Sequence, residues 1–243
     1  MMQLMIANRT FSTWSLRAWL VLSYAKRPFE TVVYYFDDDK SYQRLCAKSP
    51  TGRAPALAHN DLMIVDSLAI AEYMAETALY LWPEDEKQRA MARMICCYIH
   101  SEIANLAREC PMNLSNKFDD FTAPESVLKE LETLEKLMQP LLLDWTQNGE
   151  KDFLFIAPSI LDAFLTPIAA RCYTYDLPVG SHFSSYLQKL LNQEYMFGWL
   201  ESARIEQTDE ARTKTSNGRF GKGFTEIGSY PLLAQAISNR LES

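Results

Sequence analysis

Ser49-Pro50-Thr51-Gly52-Arg53-Ala54-Pro55-Ala56-Leu57 and, a short interval later, Val65-Asp66-Ser67-Leu68-Ala69-Ile70-Ala71-Glu72-Tyr73 are the stretches on which the fold turns. The first opens with turn chemistry, since proline and glycine punctuate regular structure. Pro55 drives Ala54 to an extended conformation. A cis bond at Ala54-Pro55 would make a tight turn that offers the backbone N–H and C=O of Ala54 to a peptide lying alongside. Ala56-Leu57-Ala58 and Leu62-Met63-Ile64-Val65 flank His59-Asn60-Asp61, so they read as a hairpin. Asp66-Ser67 then starts a helix that runs through Glu76. A helix start carries free N–H groups and partial positive charge, which suits a carboxylate and an ordinary N-cap equally well.

Upstream, Leu4 to Ala7 is a short apolar run and predicts a strand. Ser15 to Ala25 places Leu16, Trp19, Leu20 and Ser23 at helical spacing. Phe29 to Phe36 is β-branched and aromatic, a second strand, and Ser41 to Lys48 a short helix. The order is β-α-β-α-β-β-α, which describes a small mixed α/β sheet with helices on its faces. Downstream the pattern is helical. Leu79 to Pro83 reads as a linker, and Glu84 to Cys110 as one long helix. A further helix runs from about Pro124 to Trp145, with a kink or break expected at Pro140. Others cover Ser159–Tyr173, Phe183–Asn192 and Tyr195–Gln207. Thr208 to Ser229 reads as a long loop, followed by an amphipathic helix carrying Leu232, Leu233, Ala236, Ile237 and Leu241. The expected organisation is residues 1–78 as the α/β domain, 79–87 as linker, 88–207 as an all-α domain and 208–243 as an extension.

The composition is that of a globular protein: 243 residues, 48% hydrophobic and 23% charged. A net charge of −7 argues against nucleic acid as the main partner. No apolar run reaches the roughly 18 residues of a membrane span, and Met1 to Ile6 lacks the basic and apolar regions of a signal peptide. A cytoplasmic protein is expected. The five cysteines form no C-x-x-C pair, so reduced thiols, mostly buried, are expected. Three scattered histidines make a metal site unexpected.

Two further features carry chemistry. Thr10, Ser12, Thr13 and Ser15 put four hydroxyls into six residues ahead of the first helix. A hydroxyl there can donate to an anion such as a thiolate, or simply cap the helix. Ser159-Ile160-Leu161-Asp162 is a capping box before an apolar helix.

The stretch from Ser49 to Tyr73 resembles the glutathione-binding signature of the cytosolic glutathione transferases, which pairs a cis-proline turn with an acidic residue plus serine and an Ala-Ile-x-x-Tyr helix. Phe11-Ser12-Thr13-Trp14-Ser15-Leu16-Arg17-Ala18-Trp19-Leu20 resembles the opening of serine-type bacterial and zeta-like members. The resemblance implies a thioredoxin-like N-terminal domain joined to an all-helical C-terminal one. It also implies glutathione as co-substrate. By it, Ala54 before Pro55 would bind the cysteinyl backbone of glutathione, Ser67 its γ-glutamyl carboxylate and Asp66 the neighbouring amino group, while Lys40 and Arg53 would face the glycyl carboxylate. Ser12 best matches the hydroxyl that contacts the sulfur, with Ser15, Thr10 and Thr13 as alternatives.

Two positions depart from the family pattern. Asp66 stands where Glu is common, and Ala54 where Val is common. With no cysteine near residues 10–15, the members that use one are disfavoured.

The resemblance further implies a homodimer and a detoxifying transferase acting on small electrophiles. The electrophile pocket is expected between the domains, with Tyr98, Glu102 and Arg171 as contacts and Ile99 and Ile103 at the same helical spacing. Two other functions stay open: a zeta-like cis–trans isomerase of an unsaturated diacid, which needs cationic groups in that pocket, and a non-catalytic interaction module.

Overall fold

The computed structural model describes residues 1–35, 38–118 and 120–208. The extension expected from Thr208, with its loop and final helix, lies outside the described residues apart from Thr208 itself.

The first part alternates β1 (Met2–Ile6), α1 (Thr13–Tyr24), β2 (Phe29–Val33), α2 (Asp39–Lys48), β3 (Ala56–His59), β4 (Leu62–Val65) and α3 (Ser67–Ala75). The sheet order is β2-β1-β3-β4. β1 runs parallel to β2 in the register Met2–Phe29 to Ile6–Val33. β3 runs antiparallel to both β1 and β4. The hairpin turns at Asn60, whose φ of 54° is left-handed, a conformation that asparagine tolerates better than most residues. Beyond it His59 Nδ1 lies 2.7 Å from Tyr73 Oη, tying the hairpin to α3. The four-stranded mixed sheet and its helices are as the sequence predicts. β2 is shorter than expected, ending at Val33 rather than Phe36.

The second part is helical: a 3-10 turn at Leu79–Leu81, then α4 (Glu86–Ser101), α5 (Ala104–Glu109), α6 (Glu125–Gln147), α7 (Ile160–Tyr175), α8 (Ser181–Leu191) and α9 (Glu194–Thr208). Two expectations need correction. The helix predicted over Glu84 to Cys110 is two helices, because the backbone leaves the helical path at Ile103 (φ −89°, ψ 45°). The Glu130 carboxylate of α6 compensates by accepting from the backbone N–H of Asn105 and of Leu106 at 2.9 and 2.7 Å. Those are donors that a new helix start leaves unpaired. Conversely, Pro140 does not break α6, which runs on to Gln147. Leu134, Met138, Leu141, Leu142 and Trp145 are buried on either side of it, and that burial outweighs the single backbone bond proline removes.

The core is continuous across the two parts. α1 is buried on nearly every side, with Leu16, Ala18, Leu20, Val21 and Leu22 fully enclosed, and it packs against both α3 and α7. α7 is enclosed over almost its whole length. Its start is the expected capping box: Asp162 N–H donates to Ser159 Oγ, and Asp162 Oδ2 accepts from Ser159 N–H at 2.7 Å. α9 returns to the sheet. Trp199 Nε1 donates to the Arg9 carbonyl at 3.1 Å, and Glu206 pairs with Arg9. Cys96, Cys110 and Cys172 are buried free thiols, while Cys46 and Cys97 are exposed. Among the described residues, no helix is long and apolar enough to cross a membrane.

Candidate functional site

Where β1 hands over to α1, the chain borders a cavity of about 540 Å³ between the two parts of the molecule. Ser12, Thr13, Trp14 and Arg17 form the wall on the sheet side. The helical side supplies Ile99, His100 and Ser101 of α4, Ile103 between the helices, Ala104, Ala107 and Arg108 of α5, and Arg171 of α7. A cavity thus lies between the sheet part and the helical part, where the electrophile pocket is expected.

The four hydroxyls ahead of α1 separate into distinct roles. Ser12 is the N-cap of α1 and lines the cavity. Its Oγ donates to Ser15 Oγ at 2.7 Å and accepts a long bond from Ser15 N–H at 3.4 Å. Ser15 is fully buried and accepts from the Ala7 backbone N–H at 3.0 Å. Thr13 lines the cavity, and its Oγ1 accepts from Arg171 Nη2 at 2.9 Å. Thr10 is buried and does not line it. Of the four, only Ser12 and Thr13 reach the cavity.

The second cluster lies at the start of α3. The Ala54-Pro55 bond is cis, and Ala54 is 8% exposed, directly ahead of Pro55 and two residues ahead of the paired stretch of β3. Asp66 takes φ 81°, and its Oδ1 caps α3 by accepting from Leu68 N–H at 2.8 Å and Ala69 N–H at 3.2 Å. Its Oδ2 faces His100 Nε2 at 3.2 Å. Since His100 also lines the cavity, this contact joins the two clusters. Ser67 is 1% exposed and its Oγ has no hydrogen-bond partner. Among the described residues this hydroxyl is therefore unpaired, which costs about 1–3 kcal/mol unless a further polar group reaches it. Lys40 and Arg53 are exposed, away from the cavity lining. Lys40 N–H bonds Asp38 Oδ1, and the Arg53 carbonyl accepts from Ser49 Oγ.

Of the three pocket contacts expected from sequence, the structure brings in Arg171 and leaves two out. Tyr98 turns toward α6, where its hydroxyl donates to the Glu130 carbonyl at 3.1 Å. Glu102 is exposed and accepts from Ser101 Oγ at 3.0 Å.

The sequence reading missed Arg17. It is 1% exposed, its guanidinium stands 4.8 Å over the Phe164 ring, and its Nε and Nη1 have no hydrogen-bond partner among the described residues. Burial pulls its pKa down to about 9, with Arg171 adding to the shift and Cys96 and Asp66 opposing it. At neutral pH it stays charged. Arg171 is equally enclosed. Its Nε donates to the Cys110 carbonyl at 2.8 Å, while Nη1 is unpartnered. The cavity wall thus holds two buried cations with unused donors, a setting made for an anion. The signal was in the sequence: one arginine amid the apolar run Leu16 to Leu22 has no polar face to occupy.

Residues 11–77 match the model of the glutathione S-transferase N-terminal domain. Among curated proteins, the chain is 31% identical over 137 residues to a probable maleylacetoacetate isomerase of Caenorhabditis elegans, a match covering 54% of this chain and 63% of that relative's length. Among solved structures it is similar to a glutathione transferase homolog from Burkholderia gl BGR1 with bound glutathione, at 21% identity and a TM-score of 0.55, over 84% of this chain and 98% of that one. It is similar also to the glutathione transferase Omega 2C of Trametes versicolor, at 21% identity and a TM-score of 0.59, over 87% and 97%. Residues 11–77 thus carry a glutathione S-transferase N-terminal domain, and the chain as a whole has the fold of these glutathione transferases.

Proposed function

We propose that the protein is a glutathione transferase, which binds glutathione along the Ala54 turn and the start of α3 and presents its sulfur at Ser12 to a small electrophile in the cavity between the domains. The unpaired, buried Ser67 hydroxyl carries this reading. Ser67 would donate to the γ-glutamyl carboxylate at a helix N-terminus, where an anion is favoured. Asp66 Oδ2 is the acceptor for the adjoining ammonium, and the Ala54 backbone pairs with the cysteinyl unit. Lys40 and Arg53 complete the site at the glycyl end.

A thiol near pKa 8.5 is mostly protonated at neutral pH. A hydrogen bond from Ser12 to the thiolate, worth roughly 1.5–3 kcal/mol, lowers that pKa by about 1–2 units. The thiol proton has already left to water; the thiolate forms a sulfur–carbon bond at the electrophilic carbon, and the leaving group departs with its bonding pair, as chloride does from chlorodinitrobenzene.

Ser67→Ala is expected to weaken glutathione binding by about 1–3 kcal/mol, the worth of one charge-assisted bond. Titration calorimetry reads this directly, and unchanged affinity would place the γ-glutamyl end elsewhere. Turnover of chlorodinitrobenzene by the wild type separates an enzyme from a glutathione-binding interaction module.

A second reading is favoured by one observation. Arg17 and Arg171 supply the cationic groups that an isomerase of an unsaturated diacid needs, and the relative from Caenorhabditis elegans bears the name of such an enzyme. In that case the thiolate adds to the double bond, rotation follows, and glutathione leaves unchanged.

Both readings carry a two-fold homodimer, a detoxifying or catabolic role and a cytoplasmic setting. The dimer is expected as twice the chain mass in light scattering at micromolar concentration. A monomer there would leave the commonest symmetric assembly unused.

A further inference from the structure

Ser15 is fully buried, reaches no ligand and is not the cap of α1, yet its hydroxyl stands between two groups that matter. On one side the Ala7 backbone N–H donates to its Oγ at 3.0 Å. On the other, Ser12 Oγ lies 2.7 Å away. In the structure Ser12 is the donor, but a hydroxyl proton rotates to suit its partners, so an anion bound at Ser12 can reverse the bond. With Ser12 donating inward, Ser15 Oγ accepts twice. With the bond reversed, Ser15 donates to Ser12, and the Ser12 proton is released toward the cavity that Ser12 lines.

Resting on the glutathione reading above, we propose that Ser15 is a positioning residue: fixed by the Ala7 N–H, its hydroxyl donates to Ser12 and aims the Ser12 proton at the bound thiolate. The chain of donors then runs Ala7 N–H to Ser15 O–H to Ser12 O–H to sulfur, every member pointing the same way. Aligned hydrogen bonds polarise one another, so Ser12 becomes a better donor than an isolated hydroxyl. No proton crosses the relay, and the thiol proton goes to water. An anion at the sulfur position selects the outward direction, and a neutral thiol does so much less. The device therefore discriminates between the two protonation states, which is what lowers a pKa.

Its location also explains why burial is useful. A water molecule beside Ser15 would offer its proton a competing acceptor, and among the described residues the enclosed Ser15 hydroxyl has Ser12 Oγ as its oxygen partner.

The test is a titration of bound glutathione by thiolate absorbance near 240 nm, on the full chain, for Ser12→Ala, Ser15→Ala, the double variant and Ser15→Thr. Ser12→Ala is expected to raise the thiol pKa by about 1–2 units. Ser15→Ala should raise it by about 0.5 unit, roughly a threefold loss of thiolate near neutrality, with glutathione affinity at pH 5 nearly unchanged. Ser15→Thr, which keeps the hydroxyl, should restore the wild-type pKa. In the Ser12→Ala background, Ser15→Ala should add no further shift, because the relay has lost its outer member. A merely structural Ser15 would lower the melting temperature and leave the pKa where it was, which overturns the proposal. So does an additive shift in the double variant. If Ser15→Ala fails to fold, Ser15→Cys decides, since a thiol is a weak donor: a raised pKa of bound glutathione supports the relay, and a pKa matching wild type overturns it. Failure of the wild type to bind glutathione would instead sink the underlying reading, and a Ser12→Ala variant that titrates like wild type would sink the choice of Ser12.

Discussion

Arg17→Met is expected to make the protein more stable and less able to handle an electrophile that bears a carboxylate. Arg17 is enclosed in a helix packed on both sides, and two of its three nitrogens have no partner. Among the described residues it forms no ion pair, and a buried cation so placed costs several kcal/mol in desolvation, which the more distant charge of Asp66 only partly offsets. The Phe164 face returns about 2 kcal/mol of that when water is excluded. Repulsion from Arg171 works against the site. Methionine has a similar reach and no charge to desolvate, so a gain of about 1–3 kcal/mol follows, in the range seen when buried ionic groups give way to apolar ones. The guanidinium denaturation midpoint should rise with an unchanged slope. In the same variant the KM for an unsaturated diacid should rise at least about tenfold, the effect of losing one charge-assisted bond, while turnover of the neutral chlorodinitrobenzene loses far less. A destabilised variant would show that Arg17 holds the fold rather than a ligand.

Asp162→Ala is expected to have the opposite sign and a larger magnitude. The Asp162 carboxylate is fully buried at the start of α7, where it accepts from Ser159 N–H, Ser159 Oγ and the Tyr186 hydroxyl. Removing it leaves three donors without an acceptor inside the core. At about 1–3 kcal/mol for each group that cannot relax, a loss of about 3 kcal/mol or more at pH 7 follows. Ser159→Ala, which removes only the cap, should cost about 1 kcal/mol.

The pH dependence separates this carboxylate from others. Burial pushes its pKa up to about 6 from 3.8, outweighing the bonds from Tyr186 and Ser159 that pull it down. The folded chain therefore holds the proton more tightly than the unfolded one. The stability this contributes is full below pH 3.8 and is lost as pH rises through about 6. Two pKa units correspond to about 3 kcal/mol. The penalty of Asp162→Ala should thus be larger near pH 4 than at pH 7. Urea titrations of both proteins at the two pH values measure it, and a penalty that grows with pH would reverse the assignment.

The sheet was legible because each of its elements is specified locally. The hairpin needed two apolar runs and a polar turn, and α3 needed Asp66 at its start. The interdomain wall was not legible in the same way. Whether Glu84 to Cys110 is one helix or two depends on Glu130, a residue of α6 that periodicity within α4 and α5 cannot reveal. Tyr98 faces α6 and Glu102 bonds Ser101 at the surface, orientations that helical spacing alone does not give. Pro140 failed as a breaker because the packing of α6 is a tertiary term that outweighs local propensity. The hydroxyl cluster showed that a sulfur contact was to be sought within Thr10 to Ser15. Which member reaches the cavity depended on the burial of Thr10 and Ser15, a property of the folded state. Arg17 was the residue most at odds with its surroundings, and such local conflicts are where function tends to sit.

The separation of α5 from α4 has a bearing on how this scaffold diversifies. One wall of the cavity, with Ala104, Ala107 and Arg108, is held at its start by a single carboxylate from a helix on the far side. The sheet domain has no part in that anchor. Changes in α6 can therefore move the wall and reshape the electrophile chamber while the Ala54 turn, Asp66 and Ser67 stay where they are. A lineage could vary what it attacks without renegotiating what it attacks with.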